Sequence, residues 1–197
     1  MTVWGILAGG RGTRFGEPKV SAKFVEDTFL ELILQRVSAC ARAGDNVVVS
    51  VALGDPEGVA SFVANRSGET PVEIITDTAQ DPGPAHAVGN LAAHAARAGV
   101  CLVTVAVDQI RVLPRDFEAL RDATESHPDS VSVAFGPNGR HWVFAAVPSG
   151  MVAKIARDAE SVNSLQGLYI LNAINDVAVD PDSLVDVNTR DLLPPSV

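Results

Sequence analysis

Aromatic residues, cysteine and blocks of like charge are all scarce in this sequence. Its two cysteines, Cys40 and Cys101, are too few for a disulfide framework, and neither lies in a CxxC pair. Both sit in apolar segments, so two buried free thiols are expected. No apolar run approaches the roughly 20 residues that a bilayer-spanning helix needs. The opening MTVWGILAGGRG lacks a basic n-region and meets glycine before a signal-peptide core can form. These absences predict a cytoplasmic chain with no membrane partner. Lys and Arg number 15 against 24 Asp and Glu, a net charge of −9, and no basic block interrupts that balance. A nucleic-acid surface is therefore not expected. What remains is ordinary globular composition, 47% hydrophobic and 20% charged over 197 residues. That is enough for one domain, residues 1–197, with a core and a cleft.

The apolar runs are short, β-branched and regularly spaced. Thr2–Ala8, Asn46–Leu53, Val72–Thr76, Val100–Val107 and Ser130–Phe135 read as strands. Most are continuous rather than alternating, as in strands covered on both faces of a parallel sheet. Helical segments lie between them. Thr28–Ala43 starts at an Asp27/Thr28 cap signal, stops at Gly44, and places Phe29, Leu32, Ile33, Arg36 and Val37 on one side. Pro56–Asn65, Pro84–Ala98 and Pro114–Ser126 repeat the pattern, each with Pro near its first turn. The alternation predicts a three-layer α/β/α sandwich around a Rossmann-like, mostly parallel sheet. Asn138-Gly139 between two apolar runs predicts one antiparallel hairpin near the C-terminal end.

The richest segment, Leu7-Ala-Gly-Gly-Arg-Gly-Thr-Arg-Phe-Gly-Glu-Pro-Lys19, follows the first strand. Gly9, Gly10, Gly12 and Gly16 allow the backbone to turn its N–H groups toward a ligand, and such concavities bind phosphate. Arg11, Arg14 and Lys19 put three cations into nine residues of an otherwise acidic chain. In an open parallel sheet the ligand binds beyond the carboxyl ends of the strands, where this loop lies. Neither GxGxxG nor GxxxxGK[ST] fits it. Asp108 ends another buried strand, and magnesium commonly takes one or two protein carboxylates plus substrate phosphates. Strand-end capping is the alternative role for that carboxylate.

The glycine segment resembles the LAGGxxxRxGxxK signature of the glycosyltransferase-A-like nucleotidyltransferases, and within them the molybdenum cofactor guanylyltransferase (MobA-like) branch. The resemblance implies an enzyme that joins a nucleoside triphosphate to a phosphorylated acceptor, with magnesium, and releases pyrophosphate. It puts Arg14 and Lys19 on the family's basic positions and makes Leu7, Ala8, Gly9, Gly10, Arg11, Gly12 and Lys19 nucleotide-binding. Asp77, Pro82, Gly83 and Pro84 match a family segment that contacts the nucleotide. His86 lies just beyond it, where the family has none. Asp108 matches the family's metal aspartate, although Val107 and Ile110 replace its flanking Cys and Pro. Asp186-Val-Asn188 matches a C-terminal motif that returns beside the metal, so Asn188 or Asp186 would complete coordination. An Asx-type helix cap is the other reading of that motif. Gly139-Arg140-His141-Trp142 is similar to an acceptor-side stretch, with Trp142 where proline is expected.

The resemblance therefore implies that Arg14, Lys19 and Asp108 carry catalysis, that Asp108 and Asn188 hold Mg2+, and that Arg140 and His141 meet the acceptor. The implied substrates are GTP, or another nucleoside triphosphate, and molybdopterin, or another phosphorylated acceptor. Two alternatives stand beside guanylyl transfer: cytidylyl or uridylyl transfer on the same fold, and a non-catalytic carrier of nucleotide or cofactor. Retention of Asp108 with the glycine loop argues against the carrier.

Overall fold

The computed structural model describes residues 1–9, 20–51, 59, 70–77, 83–189 and 192–193. The loop residues Gly10–Lys19 and the expected helix Pro56–Asn65, apart from Val59, lie outside these. A seven-stranded sheet runs in the order β5-β4-β1-β6-β8-β7-β9. Its strands are β1 (Thr2–Leu7), β4 (Asn46–Val51), β5 (Val72–Thr76), β6 (Cys101–Ala106), β7 (Ser130–Gly136), β8 (Gly139–Val147) and β9 (Ala173–Ala178). A two-stranded ribbon, β2 (Lys23–Phe24) with β3 (Asp27–Thr28), stands apart from it. Strand β8 pairs antiparallel with both β6 and β7, while the other neighbours pair in parallel. One reversed strand thus interrupts a parallel sheet, and its hairpin with β7 turns between Gly136 and Gly139, the latter at φ 100°.

Helices cover both faces. On one lie α1 (Phe29–Cys40) and α3 (Pro114–Ser126); on the other lie α2 (Gly83–Ala98), α4 (Val152–Asp158) and α5 (Leu165–Tyr169). The all-buried β1 shows why its sequence is continuously apolar. Trp4 and Ile6 enter the α1/α3 core, and Val3 and Leu7 enter the other. Between those two, Gly5 lets α2 come close, since a Cβ there would stand 2.8 Å from Leu91 Cδ1. Likewise a Cβ on Gly89 would stand 2.6 Å from the Cβ of Ala159, so α2 packs tightly on the end of α4.

The first helix starts where its cap signal lies. Thr28 Oγ1 accepts from the Glu31 N–H, and the Glu31 carboxylate accepts from the Thr28 N–H. Its buried stripe differs from expectation: Phe29, Leu30, Ile33, Leu34, Val37 and Cys40 are inside, and Leu32 and Arg36 are only half-buried. Arg36 reaches past the core to donate to the Val112 carbonyl at 2.9 Å. Burial of the guanidinium lowers its pKa, and the Val112 carbonyl satisfies one of its donors. The cysteines also part company. Cys40 is buried, and burial pushes its thiol up to about 12, whereas Cys101, first in β6, is only partly buried.

Candidate active site

Six of the seven strands end at one edge, and the predicted site residues that can be placed lie along it. Leu7 and Ala8 are buried there and Gly9 is exposed. The Ala8 N–H donates to the Ser50 carbonyl at 2.8 Å, and the Leu7 carbonyl accepts from the Val107 N–H at 3.0 Å. Thus β1 is braced by β4 and β6 up to the point where the glycine loop departs. Gly10, Arg11, Gly12, Arg14, Gly16 and Lys19 lie outside the described residues.

Asp108 follows β6 and is 8% exposed. Its carbonyl accepts from the Val187 N–H at 3.0 Å, which lays the Asp186–Asn188 turn beside it. Two further bonds hold that C-terminal segment in place: Ser183 Oγ donates to Asp116 Oδ2 at 2.6 Å, and Arg111 Nη2 donates to the Leu192 carbonyl at 2.7 Å. Arg111 therefore anchors the C-terminal segment. The fully buried Gln109 closes the turn after β6, its Oε1 accepting from the Ala106 N–H at 3.1 Å.

This donor set suits a hard divalent cation. Asp108 and Asn188 offer oxygen atoms, and no group of three His, Cys, Asp or Glu side chains able to hold a metal occurs among the described residues. A soft or multi-carboxylate site is thus not formed by them, whereas magnesium needs only one or two carboxylates and completes its shell with phosphate and water.

On the other side of the loop root stands Asp77, 4% exposed, just past β5. Its N–H donates to the Val51 carbonyl at 2.8 Å. Its Oδ1 accepts from Ser50 Oγ at 3.1 Å and from Asn90 Nδ2 at 3.1 Å. Gly83 opens α2 at φ 80°, with the half-buried His86 in the first turn. Asp77 and Asp108 therefore flank the loop root, separated by three strand spacings, about 14 Å.

Arg140 and His141 lie at the same edge on the β7–β8 hairpin. Arg140 makes a bidentate pair with Asp176 of β9, at 2.6 and 3.0 Å, and stacks 5.5 Å from the Trp142 ring centre. The hydrogen bond that Arg140 donates to Asp176 raises the guanidinium pKa. Next to it the register jumps from Ala134↔His141 to Val133↔Ala145, so Trp142–Phe144 bulge out of the ladder. Thr104 Oγ1 accommodates the bulge by donating to the Val143 carbonyl at 2.7 Å. Bulges of this kind re-aim side chains beside functional sites.

Ser50, Asn90 and Asp176 were not foreseen. Ser50 is hidden in an apolar strand, and Asp176 lies in a strand too polar to read as one. Asn90 did carry a signal: Asn90 and His94 are the polar pair at i,i+4 in an otherwise apolar stretch of α2, and His94 faces Glu73 at 3.7 Å.

A family model described as the MobA-like NTP transferase domain matches residues 4–172. A Bacillus velezensis protein named probable molybdenum cofactor guanylyltransferase is 24% identical over 193 residues, covering 94% of this chain and 90% of its own. The solved molybdopterin-guanine dinucleotide biosynthesis protein A of Archaeoglobus fulgidus superposes with a TM-score of 0.73 at 17% identity, over 98% of this chain and 95% of that one. A Mycobacterium tuberculosis protein solved in complex with manganese shares the fold with a TM-score of 0.65 at 16% identity, over 98% and 97% of the two chains. The family model spans most of the chain, and the chain belongs to the MobA-like NTP transferase family.

Proposed function

We propose that this nucleotidyltransferase is a magnesium-dependent guanylyltransferase that transfers GMP from GTP to molybdopterin. An oxygen of the acceptor phosphate attacks the α-phosphorus, the bond from that phosphorus to the β-bridging oxygen breaks, and pyrophosphate leaves in line. Such chemistry needs positioning and charge neutralisation rather than a protein nucleophile.

Leu7, Ala8, Gly9 and Gly10, with Asp77 and Gly83, hold the nucleoside. The loop amides, Arg11, Gly12, Arg14 and Lys19 hold the triphosphate, and Arg14 and Lys19 neutralise the departing pyrophosphate. Asp108 and Asn188 hold the metal ion, which when bound offsets charge developing on the α-phosphate. Arg140, oriented by Asp176, and His141 face the acceptor phosphate.

One observation carries this reading: the Val187 N–H bond to the Asp108 carbonyl, which sets Asn188 beside the aspartate and next to the loop root. The names of the Bacillus velezensis and Archaeoglobus fulgidus proteins support the choice of guanylyl transfer, and the manganese bound by the Mycobacterium tuberculosis protein supports a divalent ion. The test is pyrophosphate release with magnesium and each nucleoside triphosphate in turn, with and without molybdopterin. Release with GTP and molybdopterin alone is expected. Release with CTP or another acceptor would overturn the guanylyl assignment and keep the transferase. Silence from folded protein that still binds nucleotide would overturn the catalytic reading in favour of a carrier.

A further inference from the structure

Asp77 differs from an ordinary buried carboxylate in how its acceptor capacity is divided. Among the described residues two side-chain donors reach it, Ser50 Oγ and Asn90 Nδ2, and both converge on Oδ1, each at 3.1 Å. A carboxylate accepts on two oxygens, about four lone-pair sites in all. Oδ2 has no such side-chain donor among the described residues. The two clamps come from different layers. Ser50 belongs to β4 and its carbonyl also takes the Ala8 N–H, so one residue fixes both Asp77 and the root of the glycine loop. Asn90 belongs to α2, which is pinned against α4 at the adjacent Gly89. A 4% exposed carboxylate held this way at the carboxyl edge cannot swing into solvent, and its second oxygen is oriented by the first.

We infer that Asn90 is a positioning residue for nucleotide selection: with Ser50 it locks Oδ1 of Asp77, so that Oδ2 accepts a hydrogen bond from a donor of the bound nucleoside. This rests on the nucleotidyltransferase reading above and adds to it the residue that sets the discrimination. Two donors share the required chemistry, the ribose 2′-hydroxyl and the 2-amino group of guanine. A site built around such a donor rejects the analogue lacking it, because its own acceptor is then left unmatched.

Direct binding separates these roles. GTP, ITP (which lacks the 2-amino group) and 2′-deoxy-GTP are titrated with magnesium onto the wild-type protein and onto Asn90→Leu, Asn90→Gln and Asp77→Asn. In the wild type, the analogue lacking the relevant donor is expected to bind about tenfold more weakly than GTP, the scale of one hydrogen bond. In Asn90→Leu, which has similar volume and no donor, GTP weakens about tenfold and the ratio between GTP and that analogue collapses toward one. Asn90→Gln recovers part of the ratio. A residue that only packs α2 on the sheet would weaken all three nucleotides alike and leave the ratio intact, and that result would overturn the inference. So would equal binding of all three nucleotides by the wild type, or an undiminished GTP affinity in Asp77→Asn. Absence of any nucleotide binding by the wild type would overturn the proposed function together with this inference. An unchanged ratio in a protein that still releases pyrophosphate would overturn the inference alone.

Discussion

Two buried aspartates, Asp45 and Asp77, stand at opposite edges of the same sheet and do opposite things with their oxygens. Asp45 precedes β4 at the amino edge and is 5% exposed; Asp77 follows β5 at the carboxyl edge and is 4% exposed. Asp45 uses both oxygens on its own fold. Oδ1 takes the Thr2 N–H at 2.8 Å, and Oδ2 takes the Arg42 N–H at 2.9 Å and Trp4 Nε1 at 3.1 Å. It joins the start of β1, the end of the α1 segment and a core indole. Among the described residues, Asp77 gathers its side-chain donors on one oxygen, at the carboxyl edge. Burial alone therefore does not mark a working carboxylate. The edge it occupies, and the hydrogen-bonding capacity the fold leaves to it, distinguish the two.

Asp108 provides the strongest way to sharpen that contrast. Asp108→Asn keeps the size and removes the charge, and turnover is expected to fall by about two to three orders of magnitude, as when one preorganised electrostatic contact is lost. The thermal midpoint should stay within a few degrees, because the segment bond uses the backbone carbonyl of Asp108 and not its side chain. A large loss of stability with full activity per folded molecule would make Asp108 another Asp45. Lys19→Ala comes next, with a loss of about a hundredfold in turnover through weaker pyrophosphate stabilisation, measured by the same pyrophosphate assay.

Asp45→Ala inverts the pattern. It strands two backbone N–H groups and an indole N–H in a buried site, and stability should drop by about 3 kcal/mol on the scale of unsatisfied buried donors. Urea unfolding reads that loss, and activity per folded molecule should be unaffected. If the variant were as stable as wild type but lost turnover, the division between the two edges would collapse.

How much of this was legible follows the same physics. The strands of the parallel half were readable because both faces are buried, so β1, β4 and β6 are mostly apolar without alternation. The third helix was found with its bounds, Pro114–Ser126, because proline opens it. Strand β9 was not, since Ala-Ile-Asn-Asp-Val-Ala lies at the sheet margin, where polar residues are tolerated and alternation is lost. Asp108 and the Asp186–Asn188 turn, which the structure brings together, each carried a local pattern. The Ser50–Asp77–Asn90 cluster was not, because residues 27 and 13 positions apart meet only once β4, β5 and α2 are packed. The excursion at Trp142–Phe144 is equally invisible in sequence, being a matter of register between β7 and β8.

The smallest effect probes whether the carboxyl edge depends on packing behind it. Gly89 sits where a Cβ would come 2.6 Å from the Cβ of Ala159, a contact between two short rigid groups that must be relieved by moving backbone. Gly89→Ala should therefore cost about 1–2 kcal/mol, the overpacking penalty outweighing the gain in helix propensity. The displacement carries Asn90 with it, since the two residues are adjacent on α2. GTP affinity should fall about threefold with a lowered preference over the discriminating analogue, while Gly5→Ala, which meets the flexible end of Leu91 instead, should cost stability and leave that preference unchanged. Unfolding curves and nucleotide titrations on both variants make the comparison. Equal shifts in preference would mean that the Asp77 clamp responds to any loosening of α2 rather than to the position of Asn90.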